Sequence, residues 1–264
     1  MPASVVNLFN IRFDNITFFQ LCAALEQGIR NRQIGYVVTP NVDHVVRVNR
    51  DPRFRQAYEK AMLRLVDGMP LILASRLLRK PLVSKLSGSD LVPRLSQFAA
   101  ENHFSVFLFG AAPGVAESAA AKLLEAYPGL EVAGTYSPPF RFENDPAVNE
   151  RAIAVVREAR PDIVFIALGS PRQEYWLADH FHKMEVPVGM GVGASFDFLA
   201  GRTKRAPGWM QYYGMEWLWR LYQEPRRLWK RYFIEDAPFI AIFGRELWRM
   251  CRKPARDGRK GEEV

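Results

Sequence analysis

The sequence predicts an α/β protein: a Rossmann-like parallel sheet with helices on both faces, followed by a helical, basic, aromatic-rich C-terminal appendage. Two apolar runs of strand length, Phe104–Phe109 with Ser105 its one polar residue and Ile163–Leu168, read as strands buried on both faces. Such runs alternate with amphipathic stretches of about 10–15 residues, the order of βαβ units whose crossovers cover both sides of a parallel sheet. The third observation is a change of composition near Gly201. Residues 1–200 carry 21 Lys and Arg against 20 Asp and Glu, whereas residues 201–264 carry 15 against 8 and hold five of the six tryptophans. The expected organisation is an α/β domain over 1–200 and an appendage over 201–264.

The chain opens with a strand over Val5–Arg12 and an amphipathic helix over Ile16–Asn31, with Asn15 in the capping position. Gly35–Thr39 is the next strand, ended by Pro40. Asp43–Lys60 reads as helix broken at Asp51-Pro52, because the residue before proline is pushed out of helical space. Leu63–Val66 is a short strand stopped by Asp67-Gly68. Pro70 opens a helix to Leu78, and Ser89-Asp90 begins another to Glu101. After the Phe104–Phe109 strand, Gly110 and Gly114 precede an alanine-rich helix, and Leu130–Thr135 is a strand running into Pro138-Pro139-Phe140. A helix over Pro146–Arg160, the Ile163–Leu168 strand, a helix over Arg172–Lys183 and a strand over Val186–Gly193 follow. Gly169 ends its strand. Ser170, Pro171 and Gln173 then have the spacing of an N-cap, a first helical residue and the reciprocal partner of a capping box. The bare N–H groups and positive dipole end of such a turn suit an anionic ligand.

Composition and motifs narrow the function. Cys22 and Cys251 form no metal or redox spacing, so a reducing cytosol is expected. The first 30 residues lack the basic and apolar regions of a signal peptide, and no apolar run approaches the roughly 20 residues of a membrane span. A soluble or peripheral protein is expected. There is no G-x-x-x-x-G-K-[ST] loop and no G-x-S-x-G elbow. Gly189-x-Gly191-x-x-Ala194 matches a dinucleotide fingerprint, but it falls late in the fold with no acid about 20 residues on. No metal site is expected: D-x-D is absent, and His180 and His182 would point to different faces of one helix.

Ligands of open parallel sheets bind outside the carboxyl ends of the strands. The unusual residues of this chain fall there: Thr39 and Asn41, Asp67, Gly110, Pro138–Phe140, Gly169–Gln173 and Ser195–Asp197. Asp67, an acid between an apolar run and a helix, suits a general base on a sugar hydroxyl, with an Asp-Gly turn as the alternative. Thr39 and Asn41 serve equally as ligand contacts or as caps of the helix beginning near Asp43.

From Trp209 the chain turns aromatic and cationic. Arg226/Lys230 and Arg227/Arg231 are i,i+4 pairs, while Leu228, Trp229, Tyr232 and Phe233 fill another face. Cations opposite aromatics describe a helix lying on an anionic membrane surface. The alternatives are a helix packed on its own domain and, without any recognised module to support it, nucleic-acid binding, so no nucleic-acid partner is expected.

These pieces resemble the WecG/TagA/CpsF family of bacterial glycosyltransferases over about residues 35–233. The matching segments are T-P-N at 39–41, D-P-R-F at 51–54, D-G-M-P at 67–70, S-G-S-D at 87–90, F-L-F-G at 107–110 and P-P-F at 138–140. L-G-S-P-R-Q-E at 168–174, G-V-G-A-S-F-D at 191–197, A-G-R-T-K-R-A-P at 200–207, M-E-W-L-W-R-L at 215–221 and E-P-R-R-L-W-K-R-Y at 224–232 complete the set. The resemblance implies inverting, metal-independent transfer from a UDP-sugar to a polyprenyl-pyrophosphate-linked acceptor on the cytoplasmic membrane face, with no cofactor. It makes Asp67 the base, Thr39 and Asn41 orienting groups, Gln173 a donor-site residue and Asp197 a nucleotide contact; Gly110, Phe140 and Lys85 are further substrate-binding candidates. It assigns pyrophosphate charge to Arg220, Arg227 and Arg231, work suited to a planar guanidinium. Lys85 stands where the family usually has arginine, and lysine cannot grip a phosphate bidentately. The stretch after Arg252 reads as a disordered polar tail. The transferred sugar, the acceptor glycan and the oligomeric state, a homo-oligomer included, are left open.

Overall fold

The computed structural model describes residues 4–252, with the side chains of Tyr212 and Arg227 outside the description. The expected polar tail after Arg252 lies outside the described residues.

The first departure from expectation is at the amino terminus, where one strand is replaced by two. β1 (Ser4–Leu8) and β2 (Ile11–Asn15) form an antiparallel hairpin with Leu8 opposite Ile11. The two-residue turn is Phe9-Asn10, both at positive φ (56° and 62°), which matches the twist of paired strands but lacks the usual Asn-Gly signal. Helix α1 (Phe18–Arg30) is capped by Thr17 rather than Asn15, with Gln20 returning the bond in a capping box. Asn15 is instead occupied across the chain: its amide donates to Pro81 O and accepts from Val83 N.

β3 (Gly35–Val38) leads to α2 (Val42–Arg50) and α3 (Pro52–Lys60). The break falls at Asp51-Pro52 as expected: Asp51 closes α2, and its carboxylate accepts the N–H groups of Arg53 and Phe54 to open α3. β4 (Leu63–Arg64), α4 (Met69–Leu77), α5 (Gly88–Asn102), β5 (Ser105–Gly110), α6 (Val115–Ala126) and β6 (Glu131–Tyr136) follow. After a 3-10 turn (Phe142–Asn144) come α7 (Pro146–Ala159), β7 (Ile163–Ala167), α8 (Arg172–His180), a second 3-10 turn (Phe181–Met184), β8 (Val188–Gly191) and α9 (Ser195–Leu199). The appendage contributes α10 (Gly208–Tyr212), α11 (Glu216–Gln223), α12 (Pro225–Lys230), a π-helical turn (Arg231–Glu235) and α13 (Pro238–Arg252).

The main sheet has six parallel strands in the order β4-β3-β8-β7-β5-β6. Alternation along each strand divides the core. Tyr36, Val38, Phe107, Phe109, Val164 and Ile166 face one apolar layer, which includes residues of α2, α3, α7 and α8. Val37, Val106, Leu108, Phe165, Val188 and Met190 face the other, with α1, α5, α6 and α9. Strands buried on both faces favour apolar side chains throughout, which is why Val106–Phe109 of β5 and all of β7 read as apolar runs.

The appendage is packed onto this body. Ile242 of α13 is buried in the first layer, and Phe239 meets Phe9 of the hairpin turn edge to face at 5.4 Å. No helix among the described residues is long and apolar enough to cross a membrane.

Candidate active site

At the carboxyl ends of β3, β4, β7 and β8 the chain leaves a cleft of about 490 Å³, roofed by the appendage. Thr39, Asn41, Asp67, Ser170, Gln173 and Gly193 line it from the sheet, and Trp217, Arg220, Arg231 and Tyr232 line it from the appendage.

Asp67 is placed by its neighbours in sequence. Its N–H donates to Pro40 O (2.8 Å), tying the end of β4 to the end of β3. Gly68 then turns with φ 105°, a conformation side-chain-bearing residues rarely adopt, and α4 departs without a side-chain cap. The carboxyl is left in the cleft with no hydrogen bond from any described residue. Burial pushes it up to about 6; Arg220 and Lys85 pull it down, while Glu216 and Asp90 push it up. A carboxylate titrating near 6 is ionised at neutral pH yet basic enough to accept a proton.

Asn41 does cap α2, its Oδ1 accepting the His44 N–H at 3.1 Å, so the capping alternative is realised while the residue also lines the cleft. Thr39 is buried beside it. Gln173 reaches the cleft for a reason the sequence did not give. The expected capping box is absent: Pro171 occupies the N-cap position, α8 starts at Arg172, and no side chain caps it. Gln173 therefore turns its amide to the neighbouring strand end, accepting from Gly193 N (3.0 Å) and donating to the buried Glu174 carboxylate (2.8 Å). Gly191 leaves room for it, since a Cβ there would lie 2.9 Å from Gln173 Nε2. Ser170, expected as the cap, has its hydroxyl buried without a hydrogen-bond partner among the described residues.

The appendage brings charge to the cleft. Arg220 lies over the Phe198 ring at 5.1 Å and is the foremost cation acting on Asp67. Arg231 donates to Asp43 Oδ2 at 3.3 Å, and Asp43 also accepts from Arg47 at 2.8 Å. Asp236, beside them, is pushed up to about 6 by burial and by the Asp43 charge, against the pull of Arg231.

Lys85 is otherwise engaged. Its ammonium is 3.0 Å from Glu216 of α11 and 3.6 Å from Asp90 of α5. Arg205 pairs with Asp90 and approaches Glu216 at 3.8 Å, completing a four-residue clamp between appendage and body. Burial pushes the Asp90 carboxyl up, but hydrogen bonds from Ser87 and Arg205 more than offset it and leave it below the usual range. Asp90, Arg205 and Glu216 lie inside family-like segments and Lys85 just before one, but nothing in the sequence signals that the four meet.

Three expected residues stand apart from the cleft. Gly110 ends β5 with φ 102°, and a Cβ there would come within 2.7 Å of Ala167 O. Phe140 is 80% exposed, with the guanidinium groups of Arg172 and Arg141 over its ring at 5.0 and 5.4 Å. Asp197, on α9, accepts Arg202 and Thr203 N–H groups at its backbone carbonyl. Arg227 lies on α12, its side chain outside those described. Among the described residues no group of three or more His, Cys, Asp and Glu is arranged to hold a metal ion.

Comparison with known proteins shows the family. The model of the glycosyl transferase WecG/TagA/CpsF family matches residues 6–253. An N-acetylglucosaminyldiphosphoundecaprenol N-acetyl-beta-D-mannosaminyltransferase of Bacillus spizizenii is 33% identical over 224 residues, covering 84% of this chain and 83% of the relative. Proteins of the same name from Bacillus subtilis (32% over 227 residues, 85% of each chain) and Staphylococcus aureus strain MW2 (29% over 250 residues, 94% of each) are also similar. A parallel α/β sheet, a cleft at its carboxyl edge and a match spanning nearly the whole sequence thus lead to one conclusion: the chain belongs to the WecG/TagA/CpsF family and is a glycosyltransferase.

Proposed function

We propose that the chain transfers a hexose-type sugar, N-acetylmannosamine being the first to assay, from a UDP-sugar to a polyprenyl-diphosphate-linked N-acetylglucosamine acceptor. The acceptor and the sugar follow the names of the similar proteins. The observation that carries the chemistry is Asp67: a carboxylate raised to about 6, unpaired by hydrogen bonds, facing a cleft whose other wall supplies Arg220 and Arg231.

In this reading the Asp67 carboxylate takes the proton of the acceptor hydroxyl. The hydroxyl oxygen attacks the anomeric carbon from the side opposite the diphosphate, and the anomeric C–O bond breaks with its electron pair leaving on UDP. One displacement inverts the configuration. Arg220 and Arg231 neutralise the charge that grows on the leaving diphosphate, the work a divalent ion does elsewhere, so transfer proceeds without metal. Thr39, Asn41 and Gln173 orient the sugars. The exposed Trp209, Tyr222 and Trp229 of the appendage rest on the anionic cytoplasmic membrane face, where the lipid-linked acceptor is held.

The test is transfer from UDP-N-acetylmannosamine to a polyprenyl-diphosphate-linked N-acetylglucosamine, with and without EDTA. Product of inverted configuration, formed equally with EDTA and lost in Asp67→Ala, is expected. No product from any UDP-sugar refutes the proposal, and abolition by EDTA refutes its metal-independent part.

A further inference from the structure

His44 lines the same cleft and has no part in the reaction as described. It is 4% exposed, and its ring is held edge-on by Phe54 and Tyr58, with centroids 5.5 and 6.0 Å away. Its Nδ1 lies 2.6 Å from the Tyr58 hydroxyl. Burial holds the Tyr58 phenol well above its ordinary range, so it keeps its proton at any working pH. That proton has one acceptor among the described residues, His44 Nδ1. Were Nδ1 the donor instead, the phenolic hydrogen would be left unpaired in the core, at a cost of roughly 1–3 kcal/mol. The network therefore assigns the donor role to Tyr58 and places the imidazole hydrogen on Nε2.

Nε2 has no hydrogen-bond partner among the described residues, although His44 lines the cleft. Burial also lowers the imidazole below its ordinary value, so the free ring is neutral; Glu174 and Asp43 favour its charged form, Arg231 and Arg47 oppose it. Arg231 is one of the two cations acting on the ring, after the Glu174 and Asp43 carboxylates, and it lines the same cleft. A fixed N–H without a partner, beside an arginine, is the arrangement of a site for an anionic oxygen.

We propose that His44 donates its Nε2–H to an oxygen of the donor's diphosphate, and that Tyr58 is the positioning residue which fixes the tautomer. The proposal rests on the nucleotide-sugar reading of the cleft and assigns a residue to it that lies outside the sequence segments first singled out.

The experiment uses the full chain labelled with 15N-histidine, observed by long-range 1H–15N correlation, together with transfer kinetics. The free protein is expected to show His44 as the Nε2–H tautomer, with that resonance moving when UDP is added. Tyr58→Phe should mix the tautomers. His44→Phe combined with Tyr58→Phe removes both polar partners while keeping ring packing, so the fold is retained and kcat falls by about 10–100-fold, the worth of one hydrogen bond to a charged group. His44→Gln, which keeps an N–H near the Nε2 position, should recover most of that loss. An Nδ1–H tautomer, an Nε2–H resonance unmoved at saturating UDP, or wild-type kcat in the double variant would each overturn the proposal. Wild-type protein that binds no UDP would overturn the nucleotide-sugar reading itself, and this assignment with it.

Discussion

Replacing Asp67 by asparagine should make the protein more stable and nearly inactive, and both effects follow from one buried charge. The carboxyl rises from an ordinary 3.8 to about 6 in the fold. Because the folded value is the higher one, the folded state resists ionisation. Below about pH 4 both states are protonated and there is no penalty. Between pH 4 and 6 the unfolded chain ionises first, and stability falls as pH rises through the folded value. Above that the full penalty applies. A shift of about 2 units corresponds to roughly 3 kcal/mol at most. The carboxyl keeps a margin of contact with water in the cleft, so about 1–2 kcal/mol is a fairer expectation, or roughly 3–6 °C in melting temperature for a chain of this size. Asparagine keeps the shape and removes the charge. Thermal melts of both proteins at pH 7.5 and near pH 4.5 test this: the variant should melt higher at 7.5 and the gap should close toward 4.5. Its kcat should fall by about 10²–10⁴-fold, with UDP affinity within a few-fold of wild type. An asparagine variant no more stable at pH 7.5, or a gap independent of pH, would refute the argument that Asp67 is held ionised against its surroundings.

Wild-type transfer should decline as pH falls through about 6, where Asp67 takes up its proton. Arg220 pulls the Asp67 carboxyl down, so Arg220→Gln should shift this acid limb to higher pH as well as slow turnover; an unmoved limb in a pH–rate profile would separate the two residues. Lys85→Ala removes the ammonium that ties Glu216 to Asp90, loosening the appendage. KM for the lipid-linked acceptor should rise more than Kd for UDP, and equal changes in both would instead make Lys85 a donor contact. Gly110→Ala needs a side chain at φ 102° with its Cβ 2.7 Å from Ala167 O, which should cost about 2 kcal/mol or more in chemical denaturation.

The layered fold was legible because its signals are local. Val106–Phe109 of β5 and the whole of β7 are apolar since both faces are covered, and the break between α2 and α3 was legible in Asp51-Pro52 because proline restricts its predecessor wherever it occurs. The amino-terminal hairpin was not, since its turn places Phe9 and Asn10 at positive φ without glycine. Gln173 was singled out as the second half of a capping box and reaches the cleft by another route. The spacing S-x-x-Q was present, but whether a side chain caps or crosses to the next strand depends on where the helix starts and on the Gly193 N–H that stands nearby to bond it.

Sequence alone determined the α/β class, the strand ends where ligands bind, the family resemblance and the acid that follows β4. Tertiary structure decided which of those strand ends share a cleft: Thr39, Asn41, Asp67 and Gln173 converge with Arg220 and Arg231, while Gly110, Phe140 and Asp197 stand apart. It also decided that Lys85 clamps the appendage and that His44, on the cleft wall, meets the hydroxyl of a tyrosine on the next helix. Periodicity and turn chemistry act between near neighbours, so a chain displays them in its order of residues. A shifted carboxyl, an ion-pair clamp and a fixed tautomer depend on burial and on partners brought close from distant segments, and these come into being only when the chain has folded.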